Sequence, residues 1–290
     1  MKNIIRPLII LLSITICSNS NAQIQMNFDF DTPYGNNETV GKYINVNGIR
    51  MYYEEYGEGE PLFLIHPNGG SISSMGNQID HFRSNYYVIT ADSRGHGKSE
   101  LNTDSLTYDQ IAEDWAELAN QLNIDSLYVI GWSDGGIVGL LMGINYPDKV
   151  KKIVTMGSNL RPDSTALYPW AINSFKHMVE EVETKIKENE MPQDLMLRKQ
   201  QLDLLIYQPS ISKSDLSKIK VPVLIIAGDK DVVREEHSIE IYQNIPKALL
   251  CIMPGETHFT PASNAELFNE IALKFIVGPF KRPDSDWTKW

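Results

Sequence analysis

Residues 128–139 read YVIGWSDGGIVG. Three apolar or aromatic residues lead into a serine set between Gly131 and Gly135, and a second apolar run follows at once. Gly131-Trp132-Ser133-Asp134-Gly135 fits the pattern G-x-S-x-G. Composition alone would produce that pattern in a chain this long roughly one time in ten. Its setting carries more weight. SLYVIG before it has the look of a strand, and GGIVGLLMGINYP after it the look of a helix stopped before Pro147. A strand–turn–helix context lifts a serine hydroxyl above a sheet, with a helix N-terminus beneath it that favours negative charge. The turn is tight enough to strain the serine backbone, and the flanking glycines remove side chains that would collide there.

The same alternation extends outward. Apolar runs predict strands at Tyr43–Asn47, Arg50–Tyr56, Leu62–Ile65, Tyr87–Ala91, Ser126–Trp132, Lys152–Met156, Val223–Ala227 and Leu249–Met253. Val46-Asn47-Gly48 joins the first two as an Asn-Gly hairpin. The later runs are apolar almost throughout, as strands are when both faces are covered in a parallel sheet. Between them lie helical patterns, such as Ile111, Trp115, Leu118 and Leu122 within Tyr108–Asn123. This implies an α/β chain with helices on both faces of a mostly parallel sheet. Residues 159–217 break the rhythm. They carry no strand signal, and Val179, Val182 and Ile186, then Leu195, Leu202 and Leu205, recur at helical spacing. An excursion of this kind fits a helical lid over the carboxyl edge of the sheet, where open α/β sheets bind ligands. The expected organisation is a core of residues 23–158 and 218–290 interrupted by that lid.

The first 22 residues fall outside this core. Lys2 and Arg6 precede the apolar stretch LIILLSITIC, and Ser20-Asn21-Ala22 supplies the small residues a signal peptidase reads. Ten apolar residues are too few to span a bilayer. The expectation is therefore cleavage after Ala22 and export to the periplasm or medium, with no stable membrane anchor afterwards. The whole chain of 290 residues carries a formal charge of −11, and loss of Lys2 and Arg6 moves it to −13. So acidic a protein repels phosphate backbones, which argues against nucleic acid as a partner. Of the two cysteines, Cys17 leaves with the signal. Cys251 then has no partner for an internal disulfide, and its apolar setting ALLCIMP suits a core position.

A serine hydroxyl is a weak nucleophile at neutral pH and needs a base oriented by an acid. In this strand–turn–helix setting the chain order is serine, then Asp or Glu, then His. Two strand ends offer the partners: Asp229-Lys230-Asp231 after VLIIAG, and Gly255-Glu256-Thr257-His258 after ALLCIMP. His258 is the candidate base, since the other histidines do not follow the last strand. Of the two acids, Asp229 is better placed to brace the turn after Gly228, and Asp231, two residues further on, is preferred as the partner of His258. Acyl transfer also needs two amide donors for the developing oxyanion. Asp134 supplies one. His66-Pro67-Asn68-Gly69-Gly70 supplies the other: Pro67 has no N–H, which leaves Asn68 first and Gly69 second.

These residues together resemble the α/β-hydrolase superfamily. The likeness rests on PLFLIHPNGG, ADSRGHGKS at 91–99, GWSDGG at 131–136, GDKD at 228–231 and GETH at 255–258, in the family's order. It implies an eight-stranded, mostly parallel sheet with a small helical lid. Ser133 would be the nucleophile, Asp231 the acid and His258 the base, with no cofactor, and no metal-ligand spacing occurs. Asp92, Arg94 and Gly95 would hold the loop after the fourth strand. Within the superfamily, GWSDGGI is most similar to the valacyclovir hydrolase (biphenyl-hydrolase-like) serine esterases, where the acid after the nucleophile helps bind the ammonium of an α-amino acid ester. Asp134 matches that acid. Pro67 departs from the glycine more usual after that histidine. The implied activity is hydrolysis of small carboxylic esters through an acyl-enzyme. A C–C bond, lactone or amide as the target of the same groups, or a catalytically weak protein that binds a small ligand, are the alternatives. Besides Asp134, Gly69, Trp132, Tyr168 and Trp170 are candidate substrate contacts.

Overall fold

The computed structural model describes residue 26, residues 28–188 and residues 192–289. The segment read as a signal peptide lies outside them. Among the described residues, eight strands form one sheet: β1 (Lys42–Val46), β2 (Ile49–Tyr56), β3 (Glu60–Ile65), β4 (Tyr86–Ala91), β5 (Leu127–Trp132), β6 (Val150–Met156), β7 (Val223–Lys230) and β8 (Ala248–Thr257). Their order across the sheet is β1-β2-β4-β3-β5-β6-β7-β8. The β1–β2 hairpin and the β2–β4 pair are antiparallel, and every pairing from β4 onward is parallel. The hairpin turns on Asn47 and Gly48, both at positive φ, as its Asn-Gly sequence requires.

The helices are α1 (Gly76–Phe82), α2 (Tyr108–Gln121), α3 (Asp134–Asn145), α4 (Pro169–Glu188), α5 (Pro192–Tyr207), α6 (Lys213–Leu216), α7 (Glu235–Asn244), α8 (Thr260–Ser263) and α9 (Ala265–Val277). Strand side chains alternate between two cores. Phe63, Ile65, Val129 and Ile153 face one core, which takes in Ile111 and Trp115 of α2, the apolar α3, and Ile241 of α7. Leu62, Leu64, Ile130 and Val154 face the other, closed by Ile79 and Phe82 of α1 and by Phe268, Ala272 and Phe275 of α9. Cys251 is half-buried against that second core, and burial raises its thiol pKa. Both faces being covered is why the central strands carry no polar alternation.

Two strands run further than their apolar runs. β7 continues to Lys230 and β8 to Thr257, with a register shift in which Gly228 pairs with Met253 and Lys230 with Thr257. Asp229 occupies that irregularity and accepts from the Gly255 amide at 2.9 Å. It braces the turn and leaves Asp231 to point elsewhere. Between β6 and β7 the described residues form α4, α5 and α6 and include no strand. Among the described residues, no helix is long and apolar enough to cross a membrane.

Candidate active site

Ser133 stands at the junction of β5 and α3 with φ 55° and ψ −116°. A non-glycine residue held there stores strain of about 1–3 kcal/mol, and the surroundings must over-determine it. They do. The Ser133 amide donates to Met156 O at 2.7 Å, and its carbonyl accepts from the amides of Gly136 and Ile137. The glycines are steric necessities: a Cβ on Gly131 would lie 2.2 Å from Gly135 O, and one on Gly135 would lie 2.1 Å from Ile65 O.

The structure brings Ser133, His258 and Asp231 together. His258 Nε2 is 2.9 Å from Ser133 Oγ, and His258 Nδ1 is 2.7 Å from Asp231 Oδ1. Asp231 is buried, and its Oδ1 also accepts from the Val233 amide at 3.1 Å. Burial works against a charged His258. The Asp231 charge and hydrogen bond, with Asp134 adding a smaller attraction, outweigh it and raise the imidazole above its ordinary value of 6.5.

Two residues that support this chain had no assigned part in the sequence reading. Gly157, just after β6, has φ +64°, and a Cβ on it would lie 2.5 Å from His258 Nδ1. Its signal was a glycine directly following a strand. His66 is buried and neutral: burial lowers it to about 4. Its Nε2 accepts from the Ser93 amide at 3.0 Å while Nδ1 donates to Pro67 O at 2.8 Å. It thereby fixes the loop after β3 against the loop after β4. In that second loop, Asp92 accepts from the Ile72 and Lys98 amides. Arg94 makes a bidentate pair with buried Asp114 at 2.7 Å.

Asp134 is the first residue of α3, so its amide has no carbonyl partner within the helix. Its side chain is buried in the pocket that Ser133 and His258 line. Burial pushes it up to about 6, against hydrogen bonds from Asn68 and Tyr108 that hold it down. Asn68 Nδ2 donates to Asp134 Oδ2 at 2.9 Å and to Gln201 O of α5 at 2.8 Å. The Gly70 amide donates to Pro67 O, which closes the turn that carries Asn68.

The other candidate contacts sit differently. Trp132 is buried, and its Nε1 donates to His258 O at 2.7 Å, so it braces the histidine rather than facing the pocket. Gly69 (φ +64°) leaves room for the Arg198 guanidinium, which a Cβ would meet at 2.7 Å. Neither Tyr168 nor Trp170 lines the space directly against Ser133. The Tyr168 hydroxyl is held by Glu235 at 2.5 Å with Arg234 over its ring, and Trp170 is 58% exposed. The apolar wall comes instead from Leu167, Phe175, Leu205, Val232 and Val233. Phe175 was legible: the stripe Val179, Val182, Ile186 runs back at the same spacing through Phe175 to Ile172. Among the described residues, no group of three or more His, Cys, Asp or Glu side chains is placed to hold a metal ion.

A family model for the alpha/beta hydrolase fold matches residues 60–182. The human serine hydrolase BPHL (Homo sapiens) is 26% identical over 258 residues, covering 84% of this chain and 88% of its own. A putative carbamate hydrolase, RutD, from Caulobacter sp. (strain K31) is also 26% identical, over 79% of this chain and 96% of its own. The crystal structure of an enol-lactonase from Burkholderia xenovorans LB400 superimposes with a TM-score of 0.68 at 21% identity, covering 82% of this chain and all of that one.

Proposed function

The chain belongs to the α/β-hydrolase superfamily and is a hydrolase, and from that premise we propose that it cleaves small carboxylic esters through an acyl-enzyme on Ser133. The observation that carries the reading is the run of contacts from Ser133 Oγ through His258 to buried Asp231, at 2.9 and 2.7 Å, on a backbone turn held at φ 55°. His258 takes the Ser133 proton as Oγ attacks the carbonyl carbon. The resulting imidazolium is held by Asp231 and returns the proton to the leaving alcohol. The oxyanion is received by the amides of Asp134 and Asn68, and loss of one such donor typically costs about 10²–10³ in rate. Water then repeats the sequence on the acyl-enzyme. The α4–α5 hairpin acts as the lid.

The buried Asp134 carboxylate shares the pocket with the nucleophile, which supports esters bearing a free α-amino group as the preferred substrates. Asn68 and Tyr108 occupy part of its hydrogen-bonding capacity, and an ammonium completes it. We further infer that the protein is exported after removal of residues 1–22. The decisive experiment is labelling with a fluorophosphonate probe: the native protein should be modified at Ser133, and Ser133→Ala should abolish labelling. Undiminished labelling of that variant would end this reading.

A further inference from the structure

We propose that a cavity between residues 162–164, α4 and α5 is the subsite for an uncharged apolar arm of the substrate, reached from Ser133 past Phe175 and Leu205. The inference rests on the serine-hydrolase reading above and adds to it where the bulk of the substrate lies. The space directly against Ser133, Asp134 and His258 amounts to only about 30 Å³, room for roughly one water molecule. No ester fits there entire. A second cavity of about 460 Å³ lies next to it. Phe175 and Leu205 line both spaces, so they form the wall between them.

The wall is built to yield. Phe175 packs with the small cluster of Ala166, Leu167 and Val233, whereas Leu205 packs with that of Val179, Val182 and Leu202. Both side chains are only partly buried. They meet where two separate clusters adjoin, and a rotamer change in either opens the wall without breaking a core. Beyond it, Pro162, Pro169, Ile172 and Ile206 supply apolar surface, while exposed Asp163, Asn173 and Lys176 border the solvent side. Such a chamber suits an alkyl or aryl group. Each methylene it takes from water is worth about a factor of four in binding.

The test is the rate of Ser133 modification by p-nitrophenyl phosphonates that carry either a methyl or a hexyl group. In one arm the chain sits on the phosphorus-bound carbon, mimicking the acyl side. In the other it sits on the retained ester oxygen, mimicking the alcohol side. The readout is the hexyl-to-methyl rate ratio within each protein. Asn173→Trp, at an exposed position lining the chamber, should lower that ratio at least fivefold in one arm, and that arm names the side of the ester. Ile206→Trp fills the chamber from the opposite helix and should act alike, while Phe175→Ala should raise the ratio in the same arm. A ratio within fivefold of the native value in both arms for a normally melting Asn173→Trp or Ile206→Trp protein overturns the subsite. Absence of Ser133 modification by any probe would instead overturn the hydrolase chemistry, so the two failures are distinct.

Discussion

Gly157 shows how tightly the candidate site is fitted. Alanine there would bring a methyl group against His258 Nδ1 and would occupy φ +64°, which L-residues avoid. We expect Gly157→Ala to lower kcat by about 10²-fold with KM changed by less than about threefold, since displacing a base by an ångström has costs of that order. Steady-state kinetics on a p-nitrophenyl ester would check this, and an unchanged kcat would mean the imidazole tolerates the methyl. Asp134 gives a second expectation, in pH. Its carboxyl titrates near 6, so it is charged above that value and neutral below it. The preference for an α-amino ester over its N-acetyl form should exceed tenfold at pH 7.5 and shrink towards unity as the pH falls through 6. Both substrates use the same base, so the separate loss of activity as His258 protonates, through a pKa raised above 6.5, cancels in the ratio. Equal rates at pH 7.5 would remove Asp134 from substrate binding. At this scale the sequence was informative about Ser133, Asp231 and His258, because each follows a recognisable strand end. It was silent on Trp132 as the brace for His258, because a tryptophan inside a motif carries no mark of where its indole N–H points.

If the α4–α5 hairpin is the lid proposed above, access depends on what holds α5 in place. Three glutamines in and just after it make five hydrogen bonds to neighbouring segments. Gln200 bridges the Leu106 amide and the Thr103 carbonyl, Gln201 donates to Gly95 O at 2.6 Å, and Gln208, just past the helix end, bridges the Tyr108 amide and the Leu106 carbonyl. Gln201 is buried, and its own carbonyl also receives Asn68, so α5 is tied to both the loop that carries Asn68 and the loop after β4. Gln201→Leu removes the bond to Gly95 O and the one from Arg198. A loss of about 1–3 kcal/mol is expected from leaving buried groups unsatisfied. Thermal melting should register it, together with faster proteolytic cleavage within 159–217. Unchanged melting and cleavage would show that α5 is held by its apolar contacts alone. The helical character of this region was readable from apolar spacing. The glutamine ties were not, because polar residues on an amphipathic helix have the same sequence signature whether they face water or a neighbouring loop.

Over the whole molecule, the two cores follow from central strands that are apolar on both faces and covered by helices on each side. The buried Arg94–Asp114 pair, joined by Asn47 at 3.0 Å from Asp114, links the first hairpin, the loop after β4 and α2. The strong negative charge also belongs to this scale. If export follows the proposal, N-terminal sequencing of the secreted protein should begin at Gln23, and the mature chain should carry the formal charge of −13 noted above. A protein recovered with Met1 intact would refute cleavage. Local pattern alone determined the strands, the elbow at Ser133 and the chain order of the three candidate catalytic residues, because hydrophobic period and turn chemistry are properties of neighbours along the chain. Tertiary structure alone decided that Gly157 must lack a side chain, that the Tyr168 hydroxyl meets Glu235, and that Phe175 and Leu205 line the space beside Ser133, and it set Asp231, the acid the sequence favoured, against His258. Those outcomes depend on register shifts and on packing between segments up to more than a hundred residues apart, where a displacement of one ångström changes which atoms touch.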